Sequence, residues 1–155
     1  MEANELANRV AHHMLAAEGT GPAWDLRIEE VREDYARVSM VVRADMLNGH
    51  GFAHGGMIFA LADSAFAYVC NGANHASMAA QASIVFLDKV REGETLVAEA
   101  TEVAREGRAG VTRVAMHHGA KNSARKNTPP VSCDTRKTSD KASISLFTRD
   151  SVFWS

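Results

Sequence analysis

The chain has 155 residues, of which 46% are hydrophobic, 23% charged and 6% aromatic, as expected for one globular domain. Its 17 Lys and Arg residues against 19 Asp and Glu residues give a formal net charge of -2. This balance provides no general positive field for nucleic acid or an anionic membrane, and we expect neither as a partner.

The first residues do not combine a basic start with an apolar core, as a secretory signal would. No apolar run reaches the roughly 20 residues of a membrane span. Cys70 and Cys133 lie in unrelated contexts, which favours reduced thiols over a disulfide framework. We therefore expect a cytoplasmic protein. The seven histidines show no metal-binding spacing, and we predict neither a metal nor a cofactor.

Apolar residues between Leu6 and Leu15 follow one helical face and predict an N-terminal helix. Residues 19–22, with two glycines and a proline, interrupt it. Alternating apolar and polar residues in 24–29 and 36–42 then predict a hairpin with one solvated face.

Residues 57–70 are apolar on almost every helical face, which predicts a helix buried at the centre of the fold. Three more strands are predicted at 77–87, 95–103 and 110–116. Because strands and helices do not alternate along the chain, the pattern favours an antiparallel α+β fold over a doubly wound parallel sheet.

Residues 1–118 are interpreted as one domain that includes the N-terminal helix. Residues 119–155 form an atypical polar loop or tail, since most of this segment could bury little surface. Apolar residues return at Ile144, Leu146 and Phe147 and indicate a possible closing strand.

Asp63 is the only carboxylate between Gly55 and Gly72, in the middle of the predicted central helix. A buried, unpaired carboxylate is energetically costly. Its structural explanation is a local cap, for example by the Ser64 hydroxyl, or a position at the exposed edge of the helix. Its functional explanation is a reactive carboxylate.

His54, Gly55 and Gly56 immediately precede or begin this helix. The first N–H groups of a helix have no partner within the helix and lie at the positive end of its dipole, so they can bind the oxygen of a polarised carbonyl. A glycine pair alone is also typical of a simple turn.

Gly55 and Asp63 are separated by about 12 Å along a straight helix, whereas one reacting atom should lie roughly 3 Å from both groups. One copy of the helix cannot form such a site. Two copies related by a two-fold axis could place Gly55 of one beside Asp63 of the other, so this interpretation requires a homodimer.

The segments 47–50, 54–56 and 61–68, with the pattern Asn-x₅-His-Gly-Gly-x₆-Asp, closely resemble the active-site region of the PaaI-type hotdog-fold acyl-CoA thioesterases of phenylacetate degradation. The resemblance extends from about Trp24 to about Val114. It implies a long central helix wrapped by an antiparallel β-sheet, in dimers that pair again into homotetramers.

The resemblance also assigns roles to individual residues. It implies that Asp63 is a general base or a nucleophile, and that the Gly55 amide polarises the thioester carbonyl. Asn48 matches the asparagine that helps to place the carboxylate and water, His54 matches the residue that orders the loop, and Ser83 matches a strand hydroxyl that can hold the water or Asp63.

Further residues are candidates for substrate binding. Gly56 adjoins the predicted carbonyl site, and Phe59 is a candidate for the acyl pocket. The resembling family often has Phe-Leu-Arg-Pro where this chain has residues 86–89, Phe-Leu-Asp-Lys. Lys89 and Arg91 could replace the missing positive charge against the phosphates of coenzyme A, although bases in turns are often simply solvated.

The resemblance implies hydrolysis of a small aryl- or acyl-CoA thioester, of the phenylacetyl or hydroxyphenylacetyl type, to the free acid and coenzyme A. Two alternatives remain open from the sequence. One is a hotdog hydratase or dehydratase acting on the acyl chain, and the other is a noncatalytic acyl-CoA-binding module.

Overall fold

The structure, a computed structural model, describes residues 1–107, 109–119 and 142–150. Most of the predicted polar tail, residues 120–141 and 151–155, lies outside the described residues. The helices are α1 (Ala3–Ala17), α2 (Thr20–Trp24) and α3 (Gly55–Asn71), with a 3-10 turn at Ala44–Met46. No helix in the described ranges is both long enough and apolar enough to cross a bilayer.

The strands are β1 (Arg27–Arg32), β2 (Tyr35–Val41), β3 (Ser77–Phe86), β4 (Thr95–Glu106), β5 (Ala109–Gly119) and β6 (Ala142–Asp150). They form one antiparallel sheet in the order β1-β2-β4-β5-β6-β3. The predicted α+β hotdog fold is confirmed. Strand β6, from the segment predicted as a tail with a possible closing strand, pairs with both β5 and β3 and so belongs to the same sheet.

The segment predicted only to interrupt the first helix instead forms a second short helix. Pro22 lies in the first turn of α2, where a helix needs no backbone donor and tolerates proline. The helix ends at Asp25, whose φ of 52° is left-handed. The local break was therefore predicted correctly, but the helical turn that follows it was not.

Helix α3 packs its main apolar face against the sheet, with Leu61, Ala65 and Phe66 buried in the core. The predicted burial of this helix at the centre of the fold holds for the side that faces the sheet, but the single chain leaves the other side uncovered. Its opposite face, exposed or partly exposed, carries small side chains and one acid at three- and four-residue spacing: Gly56, Ala60, Asp63 and Ala67.

Strand β3 lies at the end of the sheet and pairs only with β6 among the described strands. Its outer part exposes large apolar side chains, with Val85 57% and Phe86 51% exposed. Leu87, just after the strand, is 60% exposed. An exposed apolar edge strand readily accepts another strand, because its backbone groups are unpaired.

Candidate active site

The start of α3 is capped by the side chain of His54. Its Nδ1 atom accepts a hydrogen bond of 3.0 Å from the Gly56 N–H, and its backbone carbonyl accepts from Met57 N at 2.9 Å and Ile58 N at 3.2 Å. The Gly55 N–H has no acceptor among the described residues. Gly55 is therefore the open donor at this helix terminus, whereas the Gly56 donor is already used.

Asn48 orders the loop that leads into α3. Its Oδ1 atom accepts hydrogen bonds from His50 N at 2.9 Å and Phe52 N at 3.2 Å. Its own N–H donates to the Phe52 carbonyl at 2.7 Å. These three bonds close a compact loop in which the short side chain of Asn48 supplies the acceptor oxygen.

A cavity of about 580 Å³ opens beside this helix terminus, a size that suits a small ligand. Its lining consists of the loop, the first turn of α3 and the segment after β3: Asn48, His50, Phe52, Ala53, Gly55, Ile58, Phe86, Asp88, Lys89 and Val90. Asp63 is not part of this lining.

Asp63 lies in the middle of α3 with an exposed side chain. No described residue forms a hydrogen bond or an ion pair with its carboxylate. The Ser64 hydroxyl donates to the Ala60 carbonyl at 3.2 Å and so does not cap Asp63. Nearby protein atoms still desolvate the carboxyl group and raise its pKa, because partial burial disfavours the charged form.

Helix α3 is continuous from Gly55 to Asn71, so Gly55 and Asp63 are about 12 Å apart along its axis. The single chain therefore presents an open amide donor in a cavity and an unpaired carboxylate outside it.

Comparison with known proteins places this arrangement in a family. The Thioesterase superfamily profile matches residues 50–123. The acyl-coenzyme A thioesterase PaaI of Escherichia coli is 42% identical over 98 residues, which cover 63% of this chain and 69% of that enzyme. The chain belongs to the PaaI-type thioesterase family. A putative esterase of Archaeoglobus fulgidus is 41% identical over 100 residues, 64% of this chain but only 65% of that protein.

Solved structures with a similar fold point to the same family. The structure of the E. coli PaaI protein from the phenylacetic acid degradation operon superposes with a TM-score of 0.82 and 29% identity, and the match covers 97% of each chain. The TT0310 protein of Thermus thermophilus superposes with a TM-score of 0.70 and 27% identity, over 85% of this chain and 97% of that one.

In this PaaI-type chain, Lys89 and Arg91 both contact one aromatic ring of the cavity lining, that of Phe52. The Lys89 Nζ atom lies 4.9 Å and the Arg91 Cζ atom 5.9 Å from the centroid of the Phe52 ring. Both distances are within the range of cation–π attraction. The structure thus brings together the two bases that sequence analysis nominated for phosphate binding.

Two other nominated residues lie apart from the cavity. Phe59 is partly buried against the core and lies one helical turn before Asp63, on the same side of α3. Ser83 is exposed on β3. Because Ile84 packs on the core, strand alternation turns Ser83 to the opposite face, and the single chain does not bring its hydroxyl to Asp63.

Sequence analysis missed Phe86 and Phe52 as parts of the site. The Phe86 ring lies directly against Gly55. The sequence could have indicated this role for Phe86, because Phe86 comes two residues after the core-facing Ile84 and side chains two apart lie on the same side of a strand. Phe52 gave no comparable signal, since a loop has no fixed periodicity. Within the described ranges, no group of three His, Cys, Asp or Glu residues is arranged to hold a metal ion.

Proposed function

We propose that this protein hydrolyses a small aryl- or acyl-CoA thioester at a site shared between two subunits. One observation carries the proposal: the open Gly55 amide lines a cavity to which its own Asp63 does not belong. The activity is supported by the E. coli relative, which is named an acyl-coenzyme A thioesterase.

The second half of the site comes from another copy of the chain. The open face of α3 carries Asp63 among small residues, which allow a second helix to approach closely. The exposed apolar edge of β3 gives a second copy a strand to pair with. A two-fold axis then places Asp63 of each subunit near Gly55 of the other, twice per homodimer. We propose that these dimers pair further into a homotetramer.

The reaction begins when the thioester carbonyl oxygen accepts the Gly55 N–H. Asp63 of the other subunit removes a proton from water as the water oxygen bonds to the carbonyl carbon. Negative charge then develops on the carbonyl oxygen, where the amide and the helix dipole stabilise it. The carbon–sulfur bond breaks, and the departing coenzyme A thiolate takes from Asp63 the proton that Asp63 removed from water. A thioester is activated enough for a base and an oxyanion donor to suffice.

The cavity lining supports an aromatic acyl group of the phenylacetyl or hydroxyphenylacetyl type. Phe86 lies beside the carbonyl site, and Phe59 adjoins Asp63 on α3. Lys89 and Arg91 face the phosphates of coenzyme A. Asn48 and His54 hold the loop that carries the donor. A role in phenylacetate degradation and a cytoplasmic location are parts of this proposal. Within the described residues the buried Cys70 thiol forms no disulfide, which is compatible with a reducing compartment.

Subunit mixing tests the shared site directly. We expect Asp63→Asn to lose activity because it lacks the base, and Gly55→Pro to lose it because proline has no N–H. When the two inactive variants are co-expressed and purified as mixed dimers, half of the mixed sites combine a native Asp63 with a native Gly55. Thiol release from phenylacetyl-CoA should therefore return.

The control for mixing is a dimer in which both subunits carry Asp63→Asn, one with each affinity tag. This dimer should stay inactive. Absence of recovery in verified mixed dimers would contradict the shared site. Loss of enoyl-CoA absorbance without thiol release would instead identify a hydratase, and ligand binding without either signal would identify a binding module.

A further inference from the structure

His118 is a largely buried histidine that the proposed reaction does not use. It lies near the end of β5, on the same side of the strand as the core residues Val114 and Met116. Its side chain is only 9% exposed and faces two carboxylates. The Nε2 atom lies 3.5 Å from Asp88 Oδ2, and the Nδ1 atom lies 3.3 Å from Glu94 Oε2.

Both contacts have ion-pair distances, but neither meets the geometry of a hydrogen bond. A neutral imidazole gains little from such contacts, whereas a protonated imidazole attracts both carboxylates. This attraction is stronger at a buried position than in water. The His118 ring therefore lies between Asp88 and Glu94, within ion-pair distance of both carboxylates.

The same two carboxylates hold the backbone of the proposed phosphate-binding residues. Asp88 Oδ1 accepts the Lys89 N–H at 2.8 Å, and Glu94 Oε2 accepts the Arg91 N–H at 2.6 Å. The turn is also tied to the end of β2, because Gly93 N donates to the Val42 carbonyl at 2.8 Å. His118 thus contacts both anchors of the segment that presents Lys89 and Arg91.

Asp88 also lines the cavity, where an uncompensated negative charge would repel the phosphates of coenzyme A. We propose that His118 is a positioning residue for substrate binding: it compensates the charge of Asp88 and fixes residues 88–94 so that Lys89 and Arg91 meet the phosphates. This inference rests on the proposed thioesterase function.

The test is the kinetics of His118→Gln with two substrates. Phenylacetyl-CoA carries phosphates, whereas phenylacetyl-pantetheine has the same thioester and none. We expect KM for phenylacetyl-CoA to rise about three- to tenfold, the size of one lost charge contact, with kcat nearly unchanged. Both constants for phenylacetyl-pantetheine should stay at their native values, which also shows that the variant folds.

The matched control is His117→Gln, the neighbouring histidine on the other face of β5, which should not change KM for either substrate. A second variant isolates the charge of Asp88. If compensation is the main effect, Asp88→Asn should lower KM for phenylacetyl-CoA, and adding it to His118→Gln should remove most of the rise in KM.

The role of His118 would be overturned if His118→Gln changed KM equally for both substrates. It would also be overturned if the rise in KM for phenylacetyl-CoA persisted when Asp88→Asn was added. If His118→Gln does not fold, the Asp88→Asn variant tests the proposal by itself. A rise in its KM for phenylacetyl-CoA would contradict the proposed repulsion between Asp88 and the phosphates. Failure of the thioesterase function itself is distinguishable, since the native protein would then release no thiol from either substrate.

Discussion

The ring of Phe86 lies against Gly55 at the start of α3: a Cβ atom added to Gly55 would lie 3.1 Å from Cζ of Phe86. Gly55 is also the residue whose N–H has no acceptor among the described residues. A carbonyl bound to this amide therefore lies beside an aromatic ring that is half exposed. The acyl group attached to that carbonyl must pack against Phe86 or displace it.

Replacement of Phe86 by alanine should change acyl selectivity. We expect kcat/KM for phenylacetyl-CoA to fall roughly tenfold, since an aromatic pair contributes about 0.5–1.5 kcal/mol beyond its buried area. The value for acetyl-CoA should change much less, because its methyl group makes little contact with a ring. Val103→Ala, an exposed apolar residue of β4 outside the cavity lining, is the control. Equal losses for both substrates would refute the selectivity role.

Gly55→Pro should remove the oxyanion donor with little backbone disturbance. Proline is favoured at the first position of a helix, and His54 already has the extended ψ of 136° that a residue before proline adopts. We expect kcat to fall about 10²- to 10³-fold, as for other oxyanion donors. Gly55→Ala keeps the N–H and requires only a small shift of Phe86, so its loss should be clearly smaller. Similar losses in both variants would indicate steric blockage instead.

The pH profile should reflect the partial burial of Asp63, which raises its pKa above the ordinary value of 3.8. A general base must be deprotonated, so kcat/KM should fall on acidification with a midpoint above the ordinary aspartate range. Steady-state rates across the acidic range test this, and a midpoint at or below the ordinary value would contradict it.

The raised pKa of Asp63 should also make the free energy of unfolding depend on pH. Because the folded state raises the pKa of Asp63, the contribution of this group to stability is fully present below the unfolded-state pKa and decreases as the pH rises through the folded-state pKa. Asp63→Asn should therefore unfold at higher urea concentration than the native chain at neutral pH, and this difference should shrink in acid. The comparison requires equal protein concentrations, because dimerisation also stabilises the fold.

His54→Ala should weaken the start of α3, because the Gly56 N–H loses its acceptor. Loss of a helix N-cap costs about 1 kcal/mol, which urea unfolding can resolve. His54→Asn supplies a side-chain oxygen of suitable reach and should recover most of this loss. If alanine and asparagine gave the same stability, the cap would not be the main role of His54.

Local sequence patterns predicted most of the architecture. Alternation predicted the β1–β2 hairpin, and the apolar segment after the glycines predicted α3, because these periodicities follow directly from backbone geometry. The pairing of β6 between β5 and β3 was beyond such patterns, since residues 120–141 separate β5 from β6 in the chain. Strand order depends on contacts between distant segments, which no local period encodes.

For the site, the sequence alone determined which groups are chemically unusual: a single carboxylate in an apolar helix and a glycine pair at the start of that helix. The rise per residue of an α-helix also determined the distance between Asp63 and Gly55 along the helix axis. Only the tertiary structure decided that the Gly55 amide opens into a cavity, that the Phe86 ring lies against Gly55 and that Asp63 lies on an uncovered face, because each of these facts depends on how separate elements pack.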